Sequence, residues 1–368
     1  MRILLVCEKA RGTDGWGRYS LGLHNALKAR GHEIIICCNE EIEGLNCRPV
    51  LNKPLKYTTN PFVPFISSFK FSKIIAETRP DVIHITVEPY AMMIPFLKKN
   101  IVSKTVLTIH GSYGVRIIQS RLTRMNAKRA FKLIPKFITV SNYTKQAVSR
   151  ELGKDSAHFN SNVRVIRNGI ELPEWNGKKE KSSVKQILLV GGVKPRKGVI
   201  EAIEACAVFK KQFKTPFSFT IAGRFKEDSA YVEKIRNRIS ELNLNEEIKL
   251  LGKVGESELA SLYQKADLFL MPALTTPDTF EGFGLVYLEA NAFGVPCIGP
   301  NASGAAEAIE EGMSGFHCDP NNAGEIASRM NDILNRNMVS PAGCREWAEK
   351  HDIETVAEEV EKVYASIV

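Results

Sequence analysis

No apolar run in the 368-residue sequence approaches the length of a membrane span; Tyr90–Leu97, the longest near-candidate, is interrupted by Pro95. The opening run Arg2–Cys7 is too short for a signal peptide and gives way at once to Glu8 and Lys9. The eight cysteines show no C-x-x-C spacing, which argues against a zinc ribbon or a redox motif. Cys37 and Cys38 fall inside an apolar strand pattern, and the set reads as reduced, mostly buried thiols of a cytoplasmic protein. Short-period repeats and low-complexity tracts are missing as well.

Acidic residues are missing from one long stretch. Between Pro89 and Arg150 there is no Asp or Glu against twelve Lys and Arg, in a chain of net charge +9. That imbalance implies an anionic partner surface. Within 116–136 the cations Arg121, Arg124, Lys128 and Arg129 alternate with Ile118, Leu122, Met125, Phe131 and Ile134 at helical spacing. One reading is an amphipathic helix lying on the inner face of the cell membrane, each cation near anionic lipid contributing on the order of 1 kcal/mol. The other is a solvated basic face over an ordinary core helix. Aromatic residues able to stack on bases are nearly absent there, so no nucleic-acid partner is expected.

What the chain does contain is a β–loop–α pattern that occurs twice. Apolar runs near 3–7, 34–38, 82–85, 105–109 and 137–140 alternate with helical periods, and a polar, lysine-rich stretch at 173–183 precedes a restart at Gln186–Val190. Two α/β domains with parallel sheets follow from the length and from this alternation. Residues 41–68, proline-bearing and without a clear period, are expected to be an irregular connection. The terminal stretch Trp347–Val368 reads as one acidic amphipathic helix.

Three loops hold the chemistry. Arg11–Ser20 is polar and glycine-bearing, but its G-x-G-x-x-S is only part of a dinucleotide fingerprint and equally fits a tight turn without a ligand. Gly191–Gly198 gathers Lys194, Arg196 and Lys197 before a helix start, the chemistry of a phosphate cradle without the P-loop sequence. Thr279–Ala290 sets Glu281 on a glycine-rich helix entry and Glu289 eight residues later on the second helical turn. Such an entry offers backbone N–H groups to an anion and carboxylates to hydroxyls, as a nucleotide sugar requires. His110 ends a parallel strand, at the edge where open α/β sheets bind ligands.

Taken in order, Gly15-Trp-Gly17, His110-Gly111, Val140-Ser141 with Thr144-Lys145, Val165–Ile170, Pro195–Gly198, Glu281–Glu289 and Glu307 resemble the pattern of retaining GT-B glycosyltransferases of family 4 over nearly the whole chain. The resemblance implies two Rossmann-like domains facing a central cleft. They are expected at 1–172 (acceptor side) and 173–345 (nucleotide sugar), with 346–368 returning to the first domain. It implies a nucleotide-diphosphate sugar as donor, with UDP or GDP as the nucleotide. The acceptor is expected to be a glycan or lipid-linked, and no essential metal or other cofactor is expected.

By the same resemblance, Lys197 contacts the donor phosphates, Glu281 the sugar hydroxyls and Glu289 the ribose. Amides of Phe283, Gly284 and Leu285 meet the distal phosphate. His110 lies near the sugar, Gly15 and Gly17 close over the phosphates, and Val254 borders the base. The family's usual arginine after the first loop glycine is replaced by Gly192. Arg196, or else Lys194, is the expected substitute. A nucleotide-sugar epimerase of the same fold and an inactive nucleotide-sugar-binding relative are the competing readings.

Overall fold

A computed structural model describes residues 1–10, 15–177, 182–276 and 279–368. The chain forms two compact units, Met1–Glu171 with Asp352–Val368, and Leu172–His351.

In the first unit seven parallel strands are β1 (Arg2–Val6), β2 (Glu33–Cys38), β3 (Cys47–Pro49), β4 (Val82–Ile85), β5 (Thr105–Ile109), β6 (Lys136–Thr139) and β7 (Val163–Val165). Their order is β3-β2-β1-β4-β5-β6-β7. In the second unit the six parallel strands are β8 (Lys185–Val190), β9 (Phe217–Ala222), β10 (Ile248–Gly252), β11 (Leu268–Leu270), β12 (Cys297–Pro300) and β13 (Gly315–Cys318), ordered β10-β9-β8-β11-β12-β13. Central strands such as Ile3–Val6 and Ile187–Val190 are apolar at every position because helices cover both faces of each sheet. Strand order reverses between β1 and β4 and again between β8 and β11, and the loops leaving the carboxyl ends there are the ligand-binding positions of a Rossmann-like unit.

The first unit is completed by the last helix. Ile353–Tyr364 lays Val356, Ala357, Val360 and Tyr364 against Tyr19, Leu23 and Leu27 of the helix Gly15–Ala29. Its entry is fixed where Ile353 N donates to Ile170 O at 3.0 Å.

Five expectations change. Residues 41–68 are not irregular: they hold β3, a helix Pro54–Thr59 and the start of another, Phe62–Thr78. Pro54, Pro61 and Pro64 sit at or beside helix starts, where a missing N–H costs nothing. The segment 116–136 is two helices, Ser112–Gln119 and Arg124–Leu133. Between them the Arg124 guanidinium donates to the freed carbonyls of Ile118 and Gln119, both at 3.2 Å, so Leu122 and Met125 end exposed rather than on a shared apolar face. The terminal stretch is also two helices, Pro341–Glu349 and Ile353–Tyr364, the second capped by Asp352.

The expected return at 346 falls inside the first of that pair, which the second unit holds. Arg345 donates to Pro173 O and Ala292 O, each at 2.9 Å, and Trp347 Nε1 to Ala308 O at 2.9 Å. Finally, Gly15 and Gly17 belong to the first turn of a helix rather than to a loop, and residues 11–14 of the expected loop lie outside the described residues. No helix among the described residues is long and apolar enough to cross a membrane, and all eight cysteines are free thiols.

Candidate active site

The second unit builds its site at the carboxyl edge of β8, β9 and β11. After β8 the chain turns sharply at Gly191 (φ +146°) and closes at Gly198 (φ +68°), where a Cβ would lie 1.9 Å from Pro272 O. Only glycine permits that approach of the β8 loop to the chain leaving β11. The loop is stitched to both neighbours, Val193 N donating to Arg224 O at 3.0 Å and Leu274 N to Arg196 O at 2.8 Å. With its backbone held this way, the loop sends Lys197 and Arg196 to one oxygen. Lys197 Nζ lies 2.6 Å from Glu281 Oε1, and Arg196 NH1 bonds the same atom.

Glu281 is almost fully buried. Burial pushes its carboxyl up, but the charges of Lys197 and then Arg196 outweigh it and hold the group below the usual carboxylate range. The result is an ionised carboxylate clamped by two cations, one of them nearly buried. Three residues on, Gly284 (φ +89°) begins the helix Leu285–Ala292. A Cβ at Gly284 would meet the Tyr287 ring at 2.7 Å, and Tyr287 is itself anchored through its hydroxyl to Met271 O at 2.6 Å. Phe283 is buried, and Leu285 opens the helix. The structure therefore brings Arg196, Lys197 and Glu281 together and sets Phe283, Gly284 and Leu285 directly after the carboxylate.

Glu289 stands apart from that cluster, on the helix, where it accepts from Tyr263 OH at 2.9 Å. Val254 lies two residues beyond β10, half-buried. At Gly192 there is open space: a Cβ would touch only Arg224 O and Lys194 Cε, each at 3.8 Å. The Lys194 stem thus borders the position, whereas Arg196 is engaged with Glu281.

In the first unit His110 follows β5, and its ring meets the edge of Tyr19 with centroids 4.6 Å apart. Its Nε2 is sealed from solvent and has no hydrogen-bond partner. Burial drives the imidazole down to about 4, so it is neutral at ordinary pH. Beneath it runs a fully buried chain: Tyr364 OH to His84 Nδ1 at 2.6 Å, His84 Nε2 to Thr108 Oγ1 at 2.7 Å, and Thr108 Oγ1 to Tyr19 OH at 3.3 Å. Gly15 is exposed and Gly17 buried at the start of the Tyr19 helix.

Sequence reasoning missed Glu88. Fully buried just past the end of β4, it accepts from His110 N at 2.8 Å and is raised to about 7 by burial. Its signal was available: it is the last acid before the acid-free stretch, and it leaves a parallel strand at its carboxyl edge. Among the described residues, no three His, Cys, Asp or Glu gather as a metal site.

A clamped carboxylate at a helix entry suits several ligands, and the family of the chain comes from its sequence. The model described as glycosyl transferases group 1 matches residues 173–364, and the model of glycosyltransferase family 4 matches 13–174. This chain belongs to the family 4 glycosyltransferases. Its fold is GT-B, and it is an enzyme of the glycosyl-transferring class. It is similar to a glycogen synthase of Mycobacterium tuberculosis, 24% identical over 99% of this chain and 94% of that one. A GDP-mannose-dependent α-(1-6)-phosphatidylinositol monomannoside mannosyltransferase of the same organism is 28% identical over 42% of this chain and 40% of its own. Among solved structures, Anabaena HepE in complex with UDP and glucose superposes with a TM-score of 0.76 at 17% identity, covering 100% of both chains, a likeness of fold.

Proposed function

We propose that this glycosyltransferase moves a sugar from a nucleoside-diphosphate donor to a glycan or lipid-linked acceptor, with retention at the anomeric carbon, in making a surface polysaccharide or glycolipid. The carrying observation is the convergence of Lys197 and Arg196 on Glu281 Oε1 beside the glycine-opened helix. A pyrophosphate entering there competes with the carboxylate for both cations. As they turn to phosphate oxygens, Glu281 is released to accept hydroxyls of the sugar.

Charge then builds on the leaving phosphate in the transition state, where Lys197, Arg196 and the amides of Phe283, Gly284 and Leu285 are fixed in advance to meet it. On this reading the phosphates need no essential metal. Glu289 takes the ribose hydroxyls, and Val254 borders the base. His110, its imidazole neutral, lies near the sugar, and Gly15 and Gly17 contribute helix-start amides to the phosphates. Retention follows from attack on the face the phosphate leaves, the phosphate itself taking the acceptor's proton. The protein then works in the cytoplasm, at the inner face of the cell membrane. Related proteins support the two substrates separately: HepE is solved in complex with UDP-glucose, and the mannosyltransferase is named for GDP-mannose and for phosphatidylinositol monomannoside.

A thermal-shift panel of UDP, GDP and ADP sugars tests the donor. At 100 times its dissociation constant the correct one adds about 2.7 kcal/mol of stability, and no stabilisation by any of them sinks the reading. Proton NMR of the product tests retention, which fails if the anomeric configuration is opposite to the donor's.

A further inference from the structure

The helix Phe62–Thr78 carries apolar residues on its outer face as well as its inner one. Its buried positions mix Pro64, Phe71 and Ile74 with Ser67, Ser68 and Thr78, whereas Phe62, Phe65, Ile66 and Phe69, spaced along one face, are exposed. Phe62 is 70% and Phe69 63% open to solvent, values that ordinary packing of an amphipathic helix does not leave. The inward hydroxyls are satisfied locally, Ser68 Oγ donating to Phe65 O at 2.6 Å, Thr78 Oγ1 to Ile74 O at 2.7 Å, and Ser67 Oγ accepting from Asn52 Nδ2 at 3.3 Å. The inner side is thus packed and hydrogen-bonded as it stands.

The outward aromatics form one patch. Phe65 meets Phe69 edge-on at 4.9 Å and Phe96 at 5.5 Å, and Leu55 on the preceding helix is 68% exposed. Exposed lysines rim it: Lys56, Lys70, Lys73 and Lys98. None of these has a carboxylate partner among the described residues. From Leu45 to Ala76 the sequence has no Asp or Glu at all.

The patch also has a place relative to the site. Arg2, at the start of β1, donates to Thr78 O at 3.1 Å, so the helix ends at the amino edge of the sheet. Its Phe62 end is sixteen residues earlier and about 24 Å away, and near that end Phe65 packs on Phe96. One segment, Glu88–Phe96, carries the Glu88 that bonds His110 N at one end and a patch residue at the other.

We propose that this face of the first unit docks on an anionic membrane surface, with the phenylalanines in the headgroup boundary and the lysines on lipid phosphates. The charge distribution selects lipid over a second copy of the chain. A two-fold dimer would set patch on patch and bring the lysines against each other with no carboxylate between them. The basic segment 116–136 is the weaker candidate, because Lys128 and Lys132 are already paired with Asp155, at 3.0 and 2.9 Å. The inference deepens the reading of a membrane-borne acceptor: it supplies the surface from which that acceptor reaches the carboxyl edge of the first sheet.

Co-sedimentation of the full chain with vesicles of equal phosphatidylglycerol and phosphatidylcholine, against phosphatidylcholine alone, tests it. The parent should bind the anionic vesicles. The Phe62→Ser/Phe65→Ser/Phe69→Ser variant should partition at least about tenfold less with unchanged circular dichroism. Neutralising Lys56, Lys70 and Lys73 to Gln should cost about fivefold per charge at low salt, and neutralising Arg121, Arg124, Lys128 and Arg129 should change little. Absence of parent binding overturns the proposal, as does binding that survives the phenylalanine changes or that vanishes with the 121–129 changes instead. A concentration-dependent dimer abolished by the phenylalanine changes, without vesicle binding, would assign the face to a second copy. Donor hydrolysis in the same variants keeps the two readings apart, since it depends on the second unit's cluster and should be unaffected.

Discussion

Replacing Glu88 with glutamine should make the first unit much more acid-sensitive than the parent. Three buried groups there titrate away from their ordinary values, and they act in opposite directions. His84 and His110 are pulled down by burial to about 3 and about 4, so the folded state refuses protons that the unfolded chain accepts. Their contribution is present above the unfolded histidine value and is lost as pH falls through it. From about pH 7.5 to about pH 5 each removes about 2 kcal/mol, a figure set mainly by the unfolded value.

Glu88, raised to about 7, does the reverse: on acidification the folded state takes up a proton before the unfolded chain does. Over the same interval it restores about 2 kcal/mol. The parent should therefore lose only about 2 kcal/mol from this trio and the glutamine variant about 4 kcal/mol, against a total stability of about 5–15 kcal/mol for an ordinary domain. Glutamine keeps an acceptor for His110 N. Carboxylates held low elsewhere, such as Glu281 and Glu361, contribute equally to both proteins and cancel in the difference. The assay is amide hydrogen exchange of β1 and β5 under urea at the two pH values. Equal acid losses in the two proteins would mean that Glu88 ionises normally, and the electrostatic account of this site would be wrong.

Other outcomes follow from the same geometry. Lys197→Ala should lower kcat by about a hundredfold or more and let the Glu281 carboxyl rise, the latter visible as a shifted acid limb of the pH–rate profile. Gly284→Ala, forced into a left-handed backbone and against the Tyr287 ring, should cost the second unit about 2–4 kcal/mol by urea denaturation. Gly192→Arg meets open space, so stability should hold within about 0.5 kcal/mol while binding of the nucleoside diphosphate tightens by calorimetry; weaker binding would count against a phosphate site at this loop. Tyr364→Phe strands His84 Nδ1 in the core and should cost the first unit about 1–3 kcal/mol, with donor affinity in the second unit unchanged.

The parallel strands were legible because strands covered on both faces are written as unbroken apolar runs, and the switch-point loops could be located from where those runs end. The cluster was legible only as residue types. That Lys197 and Arg196 share one oxygen of Glu281 depends on Gly198 passing Pro272 O, a backbone approach with no local signature beyond the glycine. Periodicity misled at Ile118, Leu122 and Met125, which share helical spacing without sharing a helix. The outward stripe of Phe62, Phe65, Ile66 and Phe69 was missed because it lies mostly in the segment expected to be an irregular connection. Glu88 went unread although it is the last acid before the acid-free stretch and leaves a strand end, because its role comes from a burial that the sequence does not display.

The helix Ile353–Tyr364 gives the first unit an unusual history. A ribosome releases β1 through β7 well before it makes the residues that cover Tyr19, Leu23 and Leu27. The second unit, continuous from Leu172 to His351, can close its core while the first still waits with that apolar face uncovered. The unit that begins the chain is the last to be finished. Termination just after His351 therefore yields a chain with the whole second unit, Arg196, Lys197 and Glu281 included, and a first unit that lacks its covering helix.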